Sequence, residues 1–265
     1  MILDDIVAEK RREHARRPPI ALDALWTQVQ ALPPPRDFAN ALRSTTGAAT
    51  RGSDRGAPRV IAEFKRRSPS AGAIRPNADP AVIAPAYAAA GAAALSVLTD
   101  VPFFDGALAH VQVAKRACPL PILRKDFLLD ERDLLEARLA GADAALLIVR
   151  LLDAATLRVL LDVATRAQLH VLVEAHNDAE IATALAAGAR IVGVNHRDLD
   201  TLVIDLSLSA RARAAAPSAI LVAESGIQTP AHVAQMREHG ADAILVGEAL
   251  MRAIDPGAAL RELTR

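Results

Sequence analysis

The sequence predicts a (β/α)8 barrel, the TIM-barrel architecture, preceded by an N-terminal helical extension, and three features of its 265 residues carry that prediction. First, one phrase recurs four times, a glycine that ends a helix followed by a short apolar strand. It stands at Gly91-Ala92-Ala93-Ala94-Leu95, Gly141-Ala142-Asp143-Ala144-Ala145, Gly188-Ala189-Arg190-Ile191-Val192 and Gly240-Ala241-Asp242-Ala243-Ile244, with the glycines about 50 residues apart. Second, one further apolar run lies between successive copies: Pro121-Ile122-Leu123, Val171-Leu172-Val173 and Ile220-Leu221-Val222. Third, a run at Val60 brings the count to about eight strands, each followed by a helix-length segment. Such alternation gives a parallel sheet with helical crossovers, and a fourfold repeat of two units fits closure into a barrel. An open doubly wound sheet is the alternative; it has no reason for the repeat, and neither a Gly-x-Gly-x-x-Gly turn nor a P-loop is found.

From the N-terminus, Ile2, Leu3, Ile6, Val7 and Lys10 follow helical spacing until Pro18-Pro19. Leu22, Leu25, Val29 and Leu32 mark a second amphipathic helix closed by Pro33-Pro34-Pro35, and Phe38 to Leu42 a short third one. Thr45 to Pro58 is rich in Gly, Ser, Thr and Arg and reads as a mobile connection. Residues 1–59 are therefore a helical extension and linker that lay their apolar stripes on a catalytic barrel of residues 60–265, the whole forming one structural domain. Val60 to Lys65 reads as the first strand, stopped by the loop Arg66-Arg67-Ser68-Pro69-Ser70-Ala71-Gly72. Ala81 to Leu98, interrupted by Pro85 and Gly91, reads as helix, turn and strand and not as a membrane span.

Composition narrows the function. Hydrophobic residues at 52% and charged residues at 23% indicate a folded globular chain. Lys+Arg 31 balance Asp+Glu 31 and no basic block is interleaved with aromatics, so nucleic acid is not an expected partner. The single cysteine, Cys118, suits a reducing compartment and reads as a buried filler. Ile2 to Glu13 is amphipathic and charged, unlike an export signal, and the expectation is a cytoplasmic protein.

In a barrel of this kind the C-terminal strand ends open on one functional face. Those ends read Glu63 and Lys65, Thr99-Asp100, Lys125, Arg150, Glu174, Asn195 and Arg197, Glu224-Ser225-Gly226, and Gly247-Glu248. Strand alternation puts Glu63 and Lys65 on one face, Lys125 in phase with Leu123 and Glu174 in phase with Leu172, all toward the barrel axis. Charges among aliphatic side chains are costly unless paired, which favours a catalytic site over a structural role. Ser225-Gly226 and Gly247 allow backbone to approach an anion after strands 7 and 8, and with Lys65, Lys125 and Arg197 they predict a phosphorylated small-molecule substrate. Lysines close together in a partly dry pocket are expected to lower each other's pKa, while Glu63 and Glu174 oppose this and keep at least one of them charged.

These segments resemble the indole-3-glycerol phosphate synthase family of tryptophan biosynthesis. The likeness rests on Ile61-Ala62-Glu63-Phe64-Lys65 with Ser68-Pro69-Ser70, Val97-Leu98-Thr99-Asp100 with Phe103-Phe104-x-Gly106, and Leu123-Arg124-Lys125-Asp126-Phe127. It continues in Val173-Glu174, Gly193-Val194-Asn195-His196-Arg197-Asp198-Leu199, Ala223-Glu224-Ser225-Gly226 and Val246-Gly247-Glu248-Ala249-Leu250-Met251. The resemblance implies a carboxy-lyase that closes a ring on 1-(2-carboxyphenylamino)-1-deoxyribulose 5-phosphate, with loss of carbon dioxide and water, to give indole-3-glycerol phosphate. It implies no organic cofactor and no metal. By the same likeness Lys125 would be the general acid on the substrate carbonyl, and Glu174, Glu63 and Lys65 would carry the later proton transfers. Asn195 and Arg197 would hold substrate and orient Glu63, and Glu224 would bond a substrate hydroxyl or a lysine. Ser68 would also bind substrate, and Phe104 and Phe127 would bound a slot for the aromatic ring. Ser225, Gly226, Gly247 and the backbone N–H of Glu248 would bind phosphate with Lys65. The chain is expected to act as a monomer.

Two positions depart from the pattern or strain it. Ala71 replaces a basic residue common in the family's loop, and Glu248 fits beside phosphate only with its carboxylate turned away. His196 reads as a packing residue, and His176 is left open. Three rival readings stay in view: an aldolase-like barrel with Lys125 as Schiff-base nucleophile, a phosphoribosylanthranilate isomerase, and a non-catalytic phosphate-binding barrel. The isomerase needs a cysteine at a strand end, where Cys118 is not; the binding barrel leaves the lysines and acids unexplained.

Overall fold

Apolar runs bounded by positive-φ glycines give this chain its sheet. The computed structural model describes residues 2–43, 56–198 and 200–265. Eight parallel strands close into a barrel: β1 (Arg59–Phe64), β2 (Ala94–Leu98), β3 (Ile122–Lys125), β4 (Ala144–Ile148), β5 (His170–Ala175), β6 (Ile191–Asn195), β7 (Ile220–Glu224) and β8 (Ala243–Val246). Each strand pairs with its sequence neighbours, and β1 closes on β8. Gly91, Gly141, Gly188 and Gly240 take φ between 82° and 96°, the left-handed turn that ends each preceding helix. The fourfold repeat is thus a repeat of helix ends.

Two of the four copies also share a device. The Asp143 carboxylate accepts from the Ile122 backbone N–H at 2.8 Å and from Lys115 Nζ at 2.5 Å. The Asp242 carboxylate likewise accepts from the Leu221 N–H at 2.8 Å and from Arg213 at 2.5 Å. Each aspartate satisfies an orphan donor at the start of a strand and is itself neutralised by the preceding helix.

Alternation along the strands separates two cores. Val60, Ala62 and Phe64 face the surrounding helices, whereas Ile61, Leu123, Leu172, Val222 and Leu245 fill the barrel interior. The extension closes that interior from below. After α1 (Ile2–Arg16) and α2 (Leu22–Gln30) comes α3 (Phe38–Ala41), whose Phe38, with the following Leu42, is wholly buried in the interior cluster beside Ala94, Ala144 and Ala243. Small alanines at the strand starts leave room for this plug. Arg36 fastens it, its backbone N–H donating to Asp143 at 2.7 Å and its guanidinium to the carbonyls of Lys115, Cys118 and Leu120.

The expected three N-terminal helices and eight strands are therefore present. The expected mobile connection falls largely on residues 44–55, outside the described residues. The Arg66 to Pro80 loop folds back as a short antiparallel ribbon, Arg67–Ser68 against Gly72–Ala73. Among the described residues no helix is long and apolar enough to cross a membrane. Cys118 is buried, as the filler reading expects. If Phe38 closes the barrel floor, Phe38→Ala should lower the unfolding free energy by about 3–5 kcal/mol in urea titrations. A loss below about 1 kcal/mol would mean that the floor is sealed without it.

Candidate active site

The strand ends bring charge into an aliphatic cup. Glu63, the last residue but one of β1, is almost fully buried, and Lys65, just past the strand's end, has its Nζ 2.7 Å from Glu63 Oε1. Ser96, opposite Glu63 in the β1/β2 register, donates to Glu63 Oε2 at 3.4 Å. Across the barrel, Lys125 Nζ lies 3.3 Å from Glu174 Oε2 and 3.8 Å from Glu224 Oε2. Asn195 Nδ2 donates to Glu174 Oε1 at 3.2 Å, and Asn195 Oδ1 accepts from the Arg197 backbone N–H at 3.1 Å.

These contacts correct one implied role. Asn195 orients Glu174 and not Glu63, because β6 lies between β5 and β7 whereas β1 lies between β8 and β2. Two glycines make space for the acids. A Cβ on Gly247 would sit 2.3 Å from Glu63 Oε1, and one on Gly193 would sit 2.2 Å from Glu224 Oε1. Backbone without side chains is what lets the carboxylates fit.

The electrostatics also differ from the sequence expectation. Burial acts to lower the Lys125 pKa, but Glu174, Glu224 and Glu63 together drive it well above the ordinary lysine value. Lys125 is therefore held charged by neighbouring acids, the opposing effect expected of Glu63 and Glu174, and this outweighs any loosening of its proton by Lys65. Glu174 is pushed up by burial, yet Lys125, His176 and Asn195 outweigh this and hold it well below the carboxylate range. Glu224 goes the other way, raised well above its ordinary value by burial and by the charge on Glu174. Two adjacent acids whose pKa values are pushed in opposite directions thus face one ammonium.

Glu63, Lys65, Ser68, Phe104, Lys125, Phe127, Glu174, Asn195, Arg197, Glu224, Ser225, Gly226, Gly247 and Glu248, all fourteen residues named from the sequence, line a single cavity of about 250 Å³. Phe104 and Phe127 touch each other, ring centroids 6.0 Å apart and tilted by 41°, too close for a third ring between them. They form one wall, continued by Leu3 and Ile6 of α1 and by Leu98 and Ile148. Ser225 and Gly226 both take positive φ, 65° and 78°, in the turn after β7. Glu248 opens the short helix Glu248–Arg252 at the cavity's edge, with its carboxylate bonded to Arg252 Nε at 2.9 Å. Thr99, Asp100 and Arg150 do not line the cavity; Arg150 instead pairs with Asp200.

Sequence reasoning missed what steadies the Lys125 loop. Lys10, buried on the inner side of α1, lies 3.1 Å from both Asp100 and Asp126, and Asp126 also takes Arg124 at 3.0 Å and Thr99 Oγ1 at 2.5 Å. The helical spacing of Ile2, Ile6 and Lys10 was the available signal: a lysine on an apolar face needs buried acids. His176, left open by the sequence, lies with Nε2 3.1 Å from Glu174 Oε1 and Nδ1 3.1 Å from Glu180 Oε2. His196 packs as expected, bonded to the Ser225 carbonyl and to Ser209 Oγ. Among the described residues one further group of donors, His14, Asp130 and Asp133, lies within 4.8 Å, but Arg17 already pairs with both carboxylates, making it an ion-pair cluster that fastens α1.

Residues 3–263, nearly the whole chain, match a family model described as Indole-3-glycerol phosphate synthase. A relative of that name from Azoarcus sp. is 47% identical over 99% of this chain and 98% of its own length. One from Roseiflexus sp. is 46% identical over 99% and 97% of the two chains. Among solved structures, a 3-hexulose-6-phosphate synthase aligns with a TM-score of 0.61 at 19% identity over 78% of this chain and 98% of its own, a likeness of fold alone.

The buried His176 also gives a pH signature. Burial acts to lower its pKa, but Glu174 and Glu180 raise it to about 9, above the unfolded value of 6.5. Its contribution is fully present below about pH 6.5 and lost as pH rises through 9. Between those limits the native protein should lose on the order of 3 kcal/mol more unfolding free energy than His176→Gln in parallel urea titrations. Parallel pH dependences would show that the imidazole is neutral in the fold.

Proposed function

The chain belongs to the indole-3-glycerol phosphate synthase family, and from that premise we propose how its pocket divides the work of the reaction. The chemistry is ring closure on 1-(2-carboxyphenylamino)-1-deoxyribulose 5-phosphate with decarboxylation and dehydration, a carboxy-lyase step of tryptophan biosynthesis. Lys125 is the general acid. An ammonium held charged by three acids is a poor proton donor to water but a strong stabiliser of the alkoxide that forms as the ring carbon attacks, and an alkoxide is basic enough to take its proton. Loss of carbon dioxide restores aromaticity and asks only for orientation and a dry setting.

Dehydration then protonates the new hydroxyl, which leaves as water, and removes a proton from the neighbouring CH2. Glu174, ionised and fixed by Asn195, is the acceptor for that proton. Lys65, held by Glu63 beside Gly247, is the second ammonium, near enough to the phosphate-binding backbone to serve both ends of the substrate. Ser225, Gly226, Gly247 and the Glu248 N–H take the phosphate, Arg197 and Ser68 hold the polar middle, Glu224 bonds a hydroxyl, and the Phe104/Phe127 wall takes the ring. We assign residues 1–59 to the extension and 60–265 to the catalytic barrel. We read the chain as a monomeric, cytoplasmic enzyme; a zero net charge speaks against nucleic-acid partners, and one free buried thiol suits a reducing compartment.

The observation that carries this reading is the Lys125 to Glu174 pair inside a cavity that all fourteen residues share. The protein mixed with the carboxyphenylamino-ribulose phosphate should release carbon dioxide and develop indole fluorescence. Lys125→Met should reduce turnover about a thousandfold while circular dichroism and melting stay those of a folded barrel. Unchanged rates in that variant would remove the general acid from the account.

A further inference from the structure

We propose that His176 decides which of two neighbouring acids holds their shared proton, keeping Glu174 ionised and leaving the proton on Glu224. The inference deepens the reading above and rests on Glu174 acting as the proton acceptor. It starts from a count of charges inside the cup. Three carboxyl groups, Glu63, Glu174 and Glu224, share two ammoniums; Lys65 lies on Glu63 and Lys125 lies nearer Glu174 than Glu224. One acid is left over, and an unpaired buried carboxylate is so costly that the group takes up a proton instead.

Distances to Lys125 differ by only 0.5 Å, 3.3 Å against 3.8 Å, and do not by themselves choose the acid. The other oxygens do. Glu174 Oε1 accepts from Asn195 Nδ2 at 3.2 Å and has the His176 ring nitrogen Nε2 3.1 Å away, close enough for charge attraction though not hydrogen-bonded, whereas Glu224 Oε1 is buried against Gly193 with neither. Asn195 can serve a neutral acid as well as an ion, so beyond the slightly nearer Lys125 the charge that favours the ion on Glu174 comes from His176.

Two acids bracket that ring, which is 2% exposed: Glu174 at Nε2 and Glu180 at Nδ1. Nδ1 is hydrogen-bonded to Glu180, and the Glu174 carboxylate lies beside Nε2 without a hydrogen bond, so an anion on each side of the ring favours the imidazolium. The charged groups around it are Glu174 on β5, Glu180 on the helix Asp178–Ala186, and Arg150 in the turn after β4, which acts on Glu180. Around the acid pair stand Lys125 on β3 and Glu63 on β1. Glu180 is itself fixed, accepting from the His176 backbone N–H at 2.8 Å and from Asn177 Nδ2 at 3.0 Å. His176 is thus a positioning residue, acting on substrate only through Glu174.

Carbon-13 NMR of glutamate-labelled protein tests this without reference to turnover, with the Glu174 and Glu224 carboxyl signals assigned by their Gln variants. In the native protein Glu174 should stay in the ionised range and Glu224 in the protonated range around neutral pH. In His176→Gln, which keeps a hydrogen-bond donor but no charge, the Glu174 signal should move toward the protonated position and Glu224 toward the ionised one. Native-like signals for both acids would overturn the proposal. Should that variant fail to fold, Glu180→Gln decides, since it keeps one acceptor oxygen while removing the anion behind the ring. Its Glu174 signal should respond to His176 deprotonation at a pH lower by about one unit, and an unmoved midpoint would overturn the proposal. In kinetics, His176→Gln should lower kcat about tenfold near neutral pH with little change in KM, and shift the acid limb of kcat to higher pH, because Glu174 then protonates more easily. Exchanged NMR signals with an unshifted pH profile would sustain the proton placement and instead remove Glu174 from the catalytic role.

Discussion

Burying five ionisable groups at the mouth of an aliphatic barrel is possible only because each ammonium lies against a carboxylate, and the rest of the site follows from that pairing. Lys65 on Glu63 and Lys125 on Glu174 neutralise opposite walls, and the surplus acid, Glu224, is driven toward its neutral form. An anionic substrate then meets charged donors already aimed and desolvated, so little of its binding energy goes into arranging them. Glycine at 193 and 247 belongs to the same constraint, since a methyl at either place would occupy the volume of a carboxylate oxygen.

The extension does two separate jobs at the two ends of the barrel. Below, Phe38 and Leu42 fill a floor that the alanines at the strand starts leave open. Above, Leu3 and Ile6 extend the apolar wall, while Lys10 reaches Asp100 and Asp126, the latter next in sequence to Lys125. Burial acts against the charge on Lys10, but the two aspartates raise its pKa well above normal, so the latch stays ionised. The segment that closes over the site therefore also steadies the loop that carries the proposed general acid, which couples cavity closure to catalytic geometry.

Much of this was legible in one dimension. Helix-ending glycines at a regular interval announced the barrel, and strand phase alone pointed Glu63, Lys125 and Glu174 toward its axis, because a period of two fixes a side chain's face without knowledge of its partner. Legibility stopped where adjacency across strands mattered. That Asn195 serves Glu174 depends on strand order, and the direction of the Lys125 pKa depends on the three acids that stand around it. Lys10, Phe38 and His176 were hidden for the same reason: a long helical lysine, a lone aromatic and a histidine beside a strand acquire meaning only from residues far away in sequence.

The claim at the centre is that this pre-paired cup receives one molecule along its whole length. The most direct measurement is a crystal structure with an unreactive analogue whose ketone is reduced to an alcohol. The account predicts the alcohol oxygen within about 3 Å of Lys125 Nζ, the phosphate on the backbone of Ser225, Gly226, Gly247 and Glu248, and the aryl ring on the Phe104/Phe127 wall. An analogue bound with that oxygen beyond reach of Lys125, or with its phosphate seated elsewhere, would contradict it.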